Sequence, residues 1–413
     1  MTRETLVFRA ATGIALVHAL DDAVVNRQPG VPLEQHALAA AIALGAGLAA
    51  AASFPRLWPG VRAAIALAFG VLALVNGGMH VAHIVVDGAA RSDFTGVATV
   101  AAAAVLLALA VVIPFRHRGE HAATRRRRWA NRAVATAALA LLAYVLLLPV
   151  ASAIPQVHKH REPIASPPSR AYEPVSLRAS DGIELRGWYV RSQNGGAVLL
   201  VHGGGGDRTG ALRHAELLRR HGYGVLLYDS RGRGESEGNH NRLGWGWEKD
   251  VAGALAFLRA RPDVDPARIG GLGLSTGANV LIEVAARRKD LRAVVSDGAT
   301  ARSFADDWNL LGADPTTPVI WTMTAAVRVL SGSAPGEPLE ELVPKVSPTP
   351  LLLIASGLFQ NEAEFNRLYA AAAREPVELW ELADVHHTAG VRELPREYER
   401  RVVGLFDRAL LRR

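Results

Sequence analysis

Four stretches of the chain carry no Asp, Glu, Lys or Arg and are long enough to dictate their own structure: Ala37 to Pro55, Ala63 to Val86, Phe94 to Phe115 and Ala133 to Val157. An α-helix needs about 20 apolar residues to cross the hydrocarbon core of a bilayer. Only a helix satisfies its own backbone polar groups in that medium without a closed barrel. The apolar segments recur, so a single cleaved signal peptide does not explain them. A fifth candidate, Leu6 to Val25, contains Arg9, His18, Asp21 and Asp22. Each central Asp costs about 2.5–3.5 kcal/mol on insertion scales, against about 0.3–0.6 returned by each Leu or Val. That segment spans only if its two Asp meet an interface or polar partners.

Arg and Lys in short loops orient such a bundle. The loop Arg116 to Arg132 holds Arg116, Arg118, the run Arg125 to Arg128, and Arg132. It is expected on the cytoplasmic side, which places everything after Val157 outside the cytoplasm. The stretch His158 to Arg161 slightly weakens the asymmetry. The net charge of +7 is concentrated largely in that one loop, so a nucleic-acid surface is not expected. The chain has no cysteine, which excludes disulfides, a thiol nucleophile and thiolate metal sites.

Some polar residues interrupt the apolar helices. His18, Asp21 and Asp22 lie in the first segment, and Asn76, His80, His83 and Asp87 lie in or just after the third. The pairs His18/Asp22 and His80/His83 each share a helix face. They read either as a buried metal or proton site between two helices, or as a structural hydrogen-bonded cluster.

From Val175 the pattern changes. Val175 to Ala179 and Ile183 to Val190 alternate about Asp181-Gly182, a hairpin signal. Short apolar strands follow at Ala197 to Val201, Gly224 to Tyr228, Arg268 to Leu274, Arg292 to Ser296, Leu351 to Ala355 and Val377 to Leu382. Amphipathic helical runs separate most of them. A hairpin followed by β-α units implies a mostly parallel sheet with helices on both faces. The expected organisation is a helical transmembrane domain over 1–157, a Pro-containing linker over 158–174 and an α/β domain over 175–413, with an insertion at about 301–348.

Three motifs carry chemistry. Leu199 to Gly206 is a strand running into His202 and four glycines. Tyr228 to Gly238 contains Asp229-Ser230-Arg231-Gly232-Arg233-Gly234-Glu235-Ser236. Gly273-Leu274-Ser275-Thr276-Gly277 is a G-x-S-x-G run after a strand, the signature of a sharp strand-to-helix turn that exposes its serine. Together, and followed by a late histidine, they resemble the α/β-hydrolase superfamily, in particular its serine aminopeptidase-like and dienelactone hydrolase-like members. The resemblance covers about Val175 to Arg413.

That resemblance implies Ser275 as nucleophile, His387 as base, and an oxyanion hole from the backbone of Gly203, Gly204 and Thr276. His387 is preferred to His386 because Thr388 follows it; His202 is expected to be structural. The family's usual Asp after the glycine of the strand-end loop is missing from Ser356 to Glu364. Glu362 is the first choice of acid, Glu364 the second, and Asp297 the alternative after the preceding strand. Pro318 to Leu330 is expected to form a cap helix, with Trp308 and Trp321 near the pocket. No cofactor or metal is expected for this chemistry. The glycine run lacks the G-K-[ST] ending of a P-loop, and a dinucleotide fingerprint around Gly271 to Gly277 comes after too many strands. Two functions follow: a membrane-anchored serine hydrolase acting on a small-molecule, lipid or peptide ester or amide, or a retired hydrolase domain serving as a membrane sensor or scaffold.

Overall fold

A computed structural model of the protein describes residues 2–27, 29–87, 89–90, 93–117, 133, 136–137, 139–158, 164 and 166–411. Most of the basic loop after Arg116, and Lys159 to Arg161, lie outside the described residues. The chain divides into two compact units, Met1–His160 with Pro315–Gly332, and Arg161–Asp314 with Ser333–Arg413.

The first unit is helical. Its long helices are α1 (Arg3–Leu20), α2 (Leu33–Ser53), α3 (Pro59–Asp87) and α4 (Asp93–Arg116), followed by α5 (Leu148–Val157). Among the described residues, four helices are long and apolar enough to cross a membrane: Leu33–Arg56, Pro59–Val85, Asp93–Arg116 and Leu139–Val157. The segment with two Asp is not one of them. Only 17% to 39% of the residues in these apolar windows are buried inside the protein. Helices apolar on all sides and so little covered leave Leu38, Leu48, Leu74, Val111 and Leu141 facing outward, which suits lipid and not water. Phe8, Phe54, Ala66, Leu106 and Ile113 form the small interior of the bundle, with Phe8 and Phe54 stacked at 4.0 Å.

The insertion helix is present as Thr317–Ser331. It packs on α2 and α5 and belongs to the helical unit. Gln35 Nε2 donates to the Ser331 carbonyl at 2.9 Å, satisfying one of the orphan acceptors at that helix end. An apolar surface as broad as Val319 to Leu330 gains more against other apolar helices than against water. Trp308 and Trp321 are 46% and 59% exposed.

The second unit is built on one eight-stranded sheet in the order β1-β2-β4-β3-β5-β6-β7-β8. The strands are Glu173–Arg178, Glu184–Val190, Ala197–Val201, Gly224–Tyr228, Ile269–Leu274, Val294–Asp297, Leu351–Ser356 and Val377–Leu382. The hairpin β1-β2 is antiparallel, β2 also pairs antiparallel with β4, and all later pairs are parallel. Strand side chains alternate between faces. Leu199, Leu226 and Leu353 therefore meet one set of helices, namely α7 (Glu248–Arg259), α8 (Thr276–Arg288) and α9 (Glu362–Ala372). Leu200, Leu227 and Ile354 meet α6 (Leu212–Arg220) and α10 (Pro395–Phe406) on the other. Each fully buried Leu or Val contributes about 1.5–3 kcal/mol, so a sheet apolar on both faces needs both helical layers. This is the mostly parallel sheet that the alternation of strands and helices implies. In such a sheet, neighbouring strand ends at one edge bring together loops far apart in sequence.

Candidate active site

Ser275 sits between β5 and α8 with φ 54° and ψ −118°. A non-glycine residue gains nothing locally from that conformation, which is held by its surroundings. The Ser275 N–H donates to the Asp297 carbonyl at 2.7 Å, tying the turn to the end of β6. The flanking glycines permit the close packing. A Cβ on Gly277 would stand 2.2 Å from the Val201 carbonyl oxygen. The turn leaves Ser275 half-buried at the carboxyl edge of the sheet.

The glycine loop after β3 lies against this turn. A Cβ on Gly203 would be 3.3 Å from Ser275 Cβ, and one on Gly204 would be 2.7 Å from Thr276 Oγ1. Thr276 is the first residue of α8, where the backbone N–H has no acceptor within the helix. Arg233, from the second motif, clamps the loop by donating to the carbonyls of Gly206 at 2.7 Å and Gly205 at 2.5 Å. Thr276 Oγ1 donates to the Arg242 carbonyl at 3.0 Å. Asp229 accepts from the N–H groups of Arg208 and Glu235 at 2.9 and 3.0 Å. The Arg-Gly loop thus acts as a brace for the glycine loop. His202 accepts from Ser230 N–H on Nε2 at 3.0 Å, and its Nδ1 meets the Gly203 carbonyl at 2.8 Å. Burial pushes its pKa down to about 4. A neutral imidazole with both nitrogens engaged is a structural part of the loop.

His387 follows β8, and Nδ1 is 2.5 Å from Glu362 Oε2. Glu362 opens α9 after β7 and is fully buried. Its carboxylate also accepts Ser356 N–H at 2.6 Å and Ser356 Oγ–H at 2.9 Å. Thr388, at φ 53°, turns the chain directly after His387. The His387 ring stacks on Phe359 at 4.2 Å, a contact that no spacing rule signals because Phe359 lies in an irregular loop. Its edge abuts Gly298, where a Cβ would stand 2.8 Å from His387 Cε1. Gly298 directly follows Asp297, the residue that holds the Ser275 backbone. Adjacent strands β5, β6, β7 and β8 therefore deliver Ser275, Asp297-Gly298, Glu362 and His387 to one edge.

The competing residues are placed elsewhere. His386 is 70% exposed and pairs with Glu393. Glu364 is 53% exposed and faces Arg367 at 4.0 Å. The Asp297 carboxylate is buried, accepts Tyr398 Oη–H at 2.8 Å and lies 3.9 Å from His214 Nε2, while the hydrogen bond to His387 Nδ1 comes from Glu362.

The family model for the alpha/beta hydrolase family matches residues 198–412, just over half of the chain. This chain belongs to the alpha/beta hydrolase family. An uncharacterized protein of Mycobacterium tuberculosis is 31% identical over 218 residues, 49% of this chain and 77% of the relative. The uncharacterized protein YfhR of Escherichia coli is 30% identical over 199 residues, 46% of this chain and 64% of the relative. A solved structure of a Pyrococcus furiosus esterase aligns with a TM-score of 0.49 at 22% identity, covering 61% of this chain and 98% of that one. Family membership supports hydrolase activity.

In this hydrolase, burial raises the Asp297 pKa to about 7; the nearby charge of Glu362 adds to that, and the Tyr398 hydrogen bond opposes it. The folded state therefore prefers the protonated acid, while the unfolded chain titrates near about 3.9. Asp297 contributes nothing unfavourable below the unfolded value and costs stability as pH rises towards about 7. Asp297→Asn keeps an acceptor for Tyr398 and removes the charge. It is expected to match the wild type near pH 4 and to exceed it at pH 8 by about 1–3 kcal/mol in urea denaturation. Equal midpoints at both pH values would show that the carboxylate is not disfavoured.

Proposed function

We propose that this chain is a membrane-anchored serine hydrolase whose catalytic domain lies outside the cytoplasm. The observation that carries the reading is the fully buried Glu362 bound to His387 Nδ1, at the same sheet edge as a serine held at positive φ. In this reading Glu362 fixes the proton on His387 Nδ1, leaving Nε2 as a base for Ser275. Ser275 Oγ attacks the carbonyl carbon and its proton passes to His387. The oxyanion is met by the amides of Thr276 and of Gly203 or Gly204, each worth about 3–4 kcal/mol in the transition state. The C–O or C–N bond then breaks, His387 protonates the leaving group, and water releases the acyl group by the same steps.

The substrate is an ester or amide of a small molecule, lipid or peptide. A relative named a thiohydrolase, from Aspergillus aculeatus, is 36% identical over 132 residues, 31% of this chain and 41% of that protein. Thioesters accordingly belong in the assay panel. The four apolar helices support the anchor, and the Arg-rich loop before the last of them supports the orientation. The retired-domain reading is disfavoured by the bonded Glu362–His387 pair.

The test is labelling in spheroplasts with a charged fluorophosphonate that does not cross the inner membrane. The expected result is one adduct on the peptide carrying Ser275. Labelling that appears only after lysis would reverse the orientation, and none in folded protein would remove the serine mechanism.

A further inference from the structure

A polar cluster of histidines and aspartates lies in the helical unit, on residues to which the proposed hydrolysis assigns no step. His18 lies in the last turn of α1, and Asp22 in the π-helical turn Asp21–Val25 that continues it. A π-turn inserts one residue, re-aims the side chains beside it, and is frequent at functional sites. Here Asp22 Oδ2 stands 3.4 Å from His18 Nε2 and 3.7 Å from His80 Nε2 on α3. One ligand atom from each of the three residues lies within 4.8 Å of the others.

The far side of each ring fixes its proton. Thr95 donates to Asp21 Oδ2 at 2.6 Å, so its oxygen is left to accept from His18 Nδ1 at 3.0 Å. His18 then carries its proton on Nδ1 and a lone pair on Nε2. The Asp93 carboxylate sets the same tautomer in His80, at 3.1 Å from Nδ1. His18 is fully buried, and its Nε2 has no hydrogen-bond partner among the described residues. Leaving such a buried acceptor unsatisfied costs about 1–3 kcal/mol. Gly96 makes the approach of His80 to α4 possible, since a Cβ there would stand 2.4 Å from the imidazole. Imidazoles whose outer N–H meets a carboxylate or hydroxyl, with inner lone pairs converging on another carboxylate, are the usual surroundings of a bound metal.

We propose that His18, Asp22 and His80 bind a divalent transition-metal ion, zinc foremost. Two imidazoles and one carboxylate favour zinc over magnesium or calcium, which take mostly oxygen ligands. Zinc bonds of about 2.0–2.2 Å set ligand atoms about 3.3 Å apart in a tetrahedron. The 3.4 and 3.7 Å separations of the two imidazoles from Asp22 therefore need little contraction, and the third pair starts within 4.8 Å. Water fills the fourth position, or His158, whose ring lies 5.9 Å from that of His80. The cation also offsets carboxylates that are otherwise expensive beside apolar helices.

The experiment measures metal in the full chain, purified in detergent with a tag free of histidine. About one zinc per chain is expected in the wild type, falling below about 0.1 in His18→Ala and Asp22→Asn. His221→Ala, at an exposed histidine, should keep the wild-type content. Because a variant can lose metal by misfolding, wild type stripped with a chelator supplies the second measurement. Added zinc should raise its melting temperature, and cobalt should give the visible bands of a four-coordinate site. Zinc equal in the wild type and both variants would mean an adventitious ion only. A stripped wild type that takes up neither metal at micromolar concentrations would leave a hydrogen-bonded cluster in its place. Either result overturns the proposal.

Discussion

Ser275→Ala is expected to lower kcat/KM towards an activated acyl ester by about 10⁵–10⁶-fold, and to abolish fluorophosphonate labelling. The large loss follows from the role assigned to one atom. Without Oγ, His387 has no nucleophile to deprotonate, and only the oxyanion amides and substrate binding act on the carbonyl. These leave about 10³–10⁴-fold over water. Stability should change little with Ala, because Ala inherits the same strained backbone at φ 54°. Ser275→Gly makes a useful companion. Glycine adopts positive φ freely, so it should be equally inactive yet more stable than Ala by about 1 kcal/mol. Activity within tenfold of wild type in either variant would remove Ser275 from the chemistry.

Much of the second unit was legible because its rules are local or periodic. Ala197 to Val201 reads as an apolar strand of a sheet covered on both faces, and its Leu199 and Leu200 are buried by separate helical layers. The G-x-S-x-G spacing specified a turn that only glycines at 273 and 277 allow. The four apolar helices followed from the absence of charge over bilayer length. What resisted reading was the choice of neighbour. The apolarity of Pro318 to Leu330 announced a helix, but not that it would pack on α2 and α5. Any apolar surface offers the same driving force, and the sequence of one helix does not name its partner.

The polar cluster shows the same boundary. His18, Asp22, His80 and His83 stood out as polar residues in apolar runs, and their spacing put each pair on one face. Asp93 did not stand out, because it begins a helix, where an acid is an ordinary first-turn residue. In the structure it receives hydrogen bonds from both His80 and His83, at 3.1 and 3.0 Å. The π-turn at Asp21–Val25 likewise has no periodic signature, since it is defined by a single extra residue.

Glu362→Gln is expected to reduce kcat by about 10⁴-fold with KM nearly unchanged, while Glu364→Gln stays within about twofold, as suits an exposed surface charge. The difference rests on proton direction. The Glu362 carboxylate accepts from Ser356 N–H, Ser356 Oγ–H and His387 Nδ1. A glutamine oxygen can replace the acceptor facing Ser356, but its NH₂ must then point at His387. Nδ1 becomes an acceptor, the ring proton moves to Nε2, and the nitrogen required to take the Ser275 proton is blocked. The loss therefore appears in the chemical step and not in substrate binding. Glu362→Asp is the control for geometry, because it keeps the charge and the acceptors but shortens the reach; partial recovery above Gln is expected. Stability also separates the variants, since Glu362 is fully buried and removing its charge leaves the Ser356 donors imperfectly met. A comparable loss in Glu364→Gln, or full activity in Glu362→Gln, would move the acid away from Glu362.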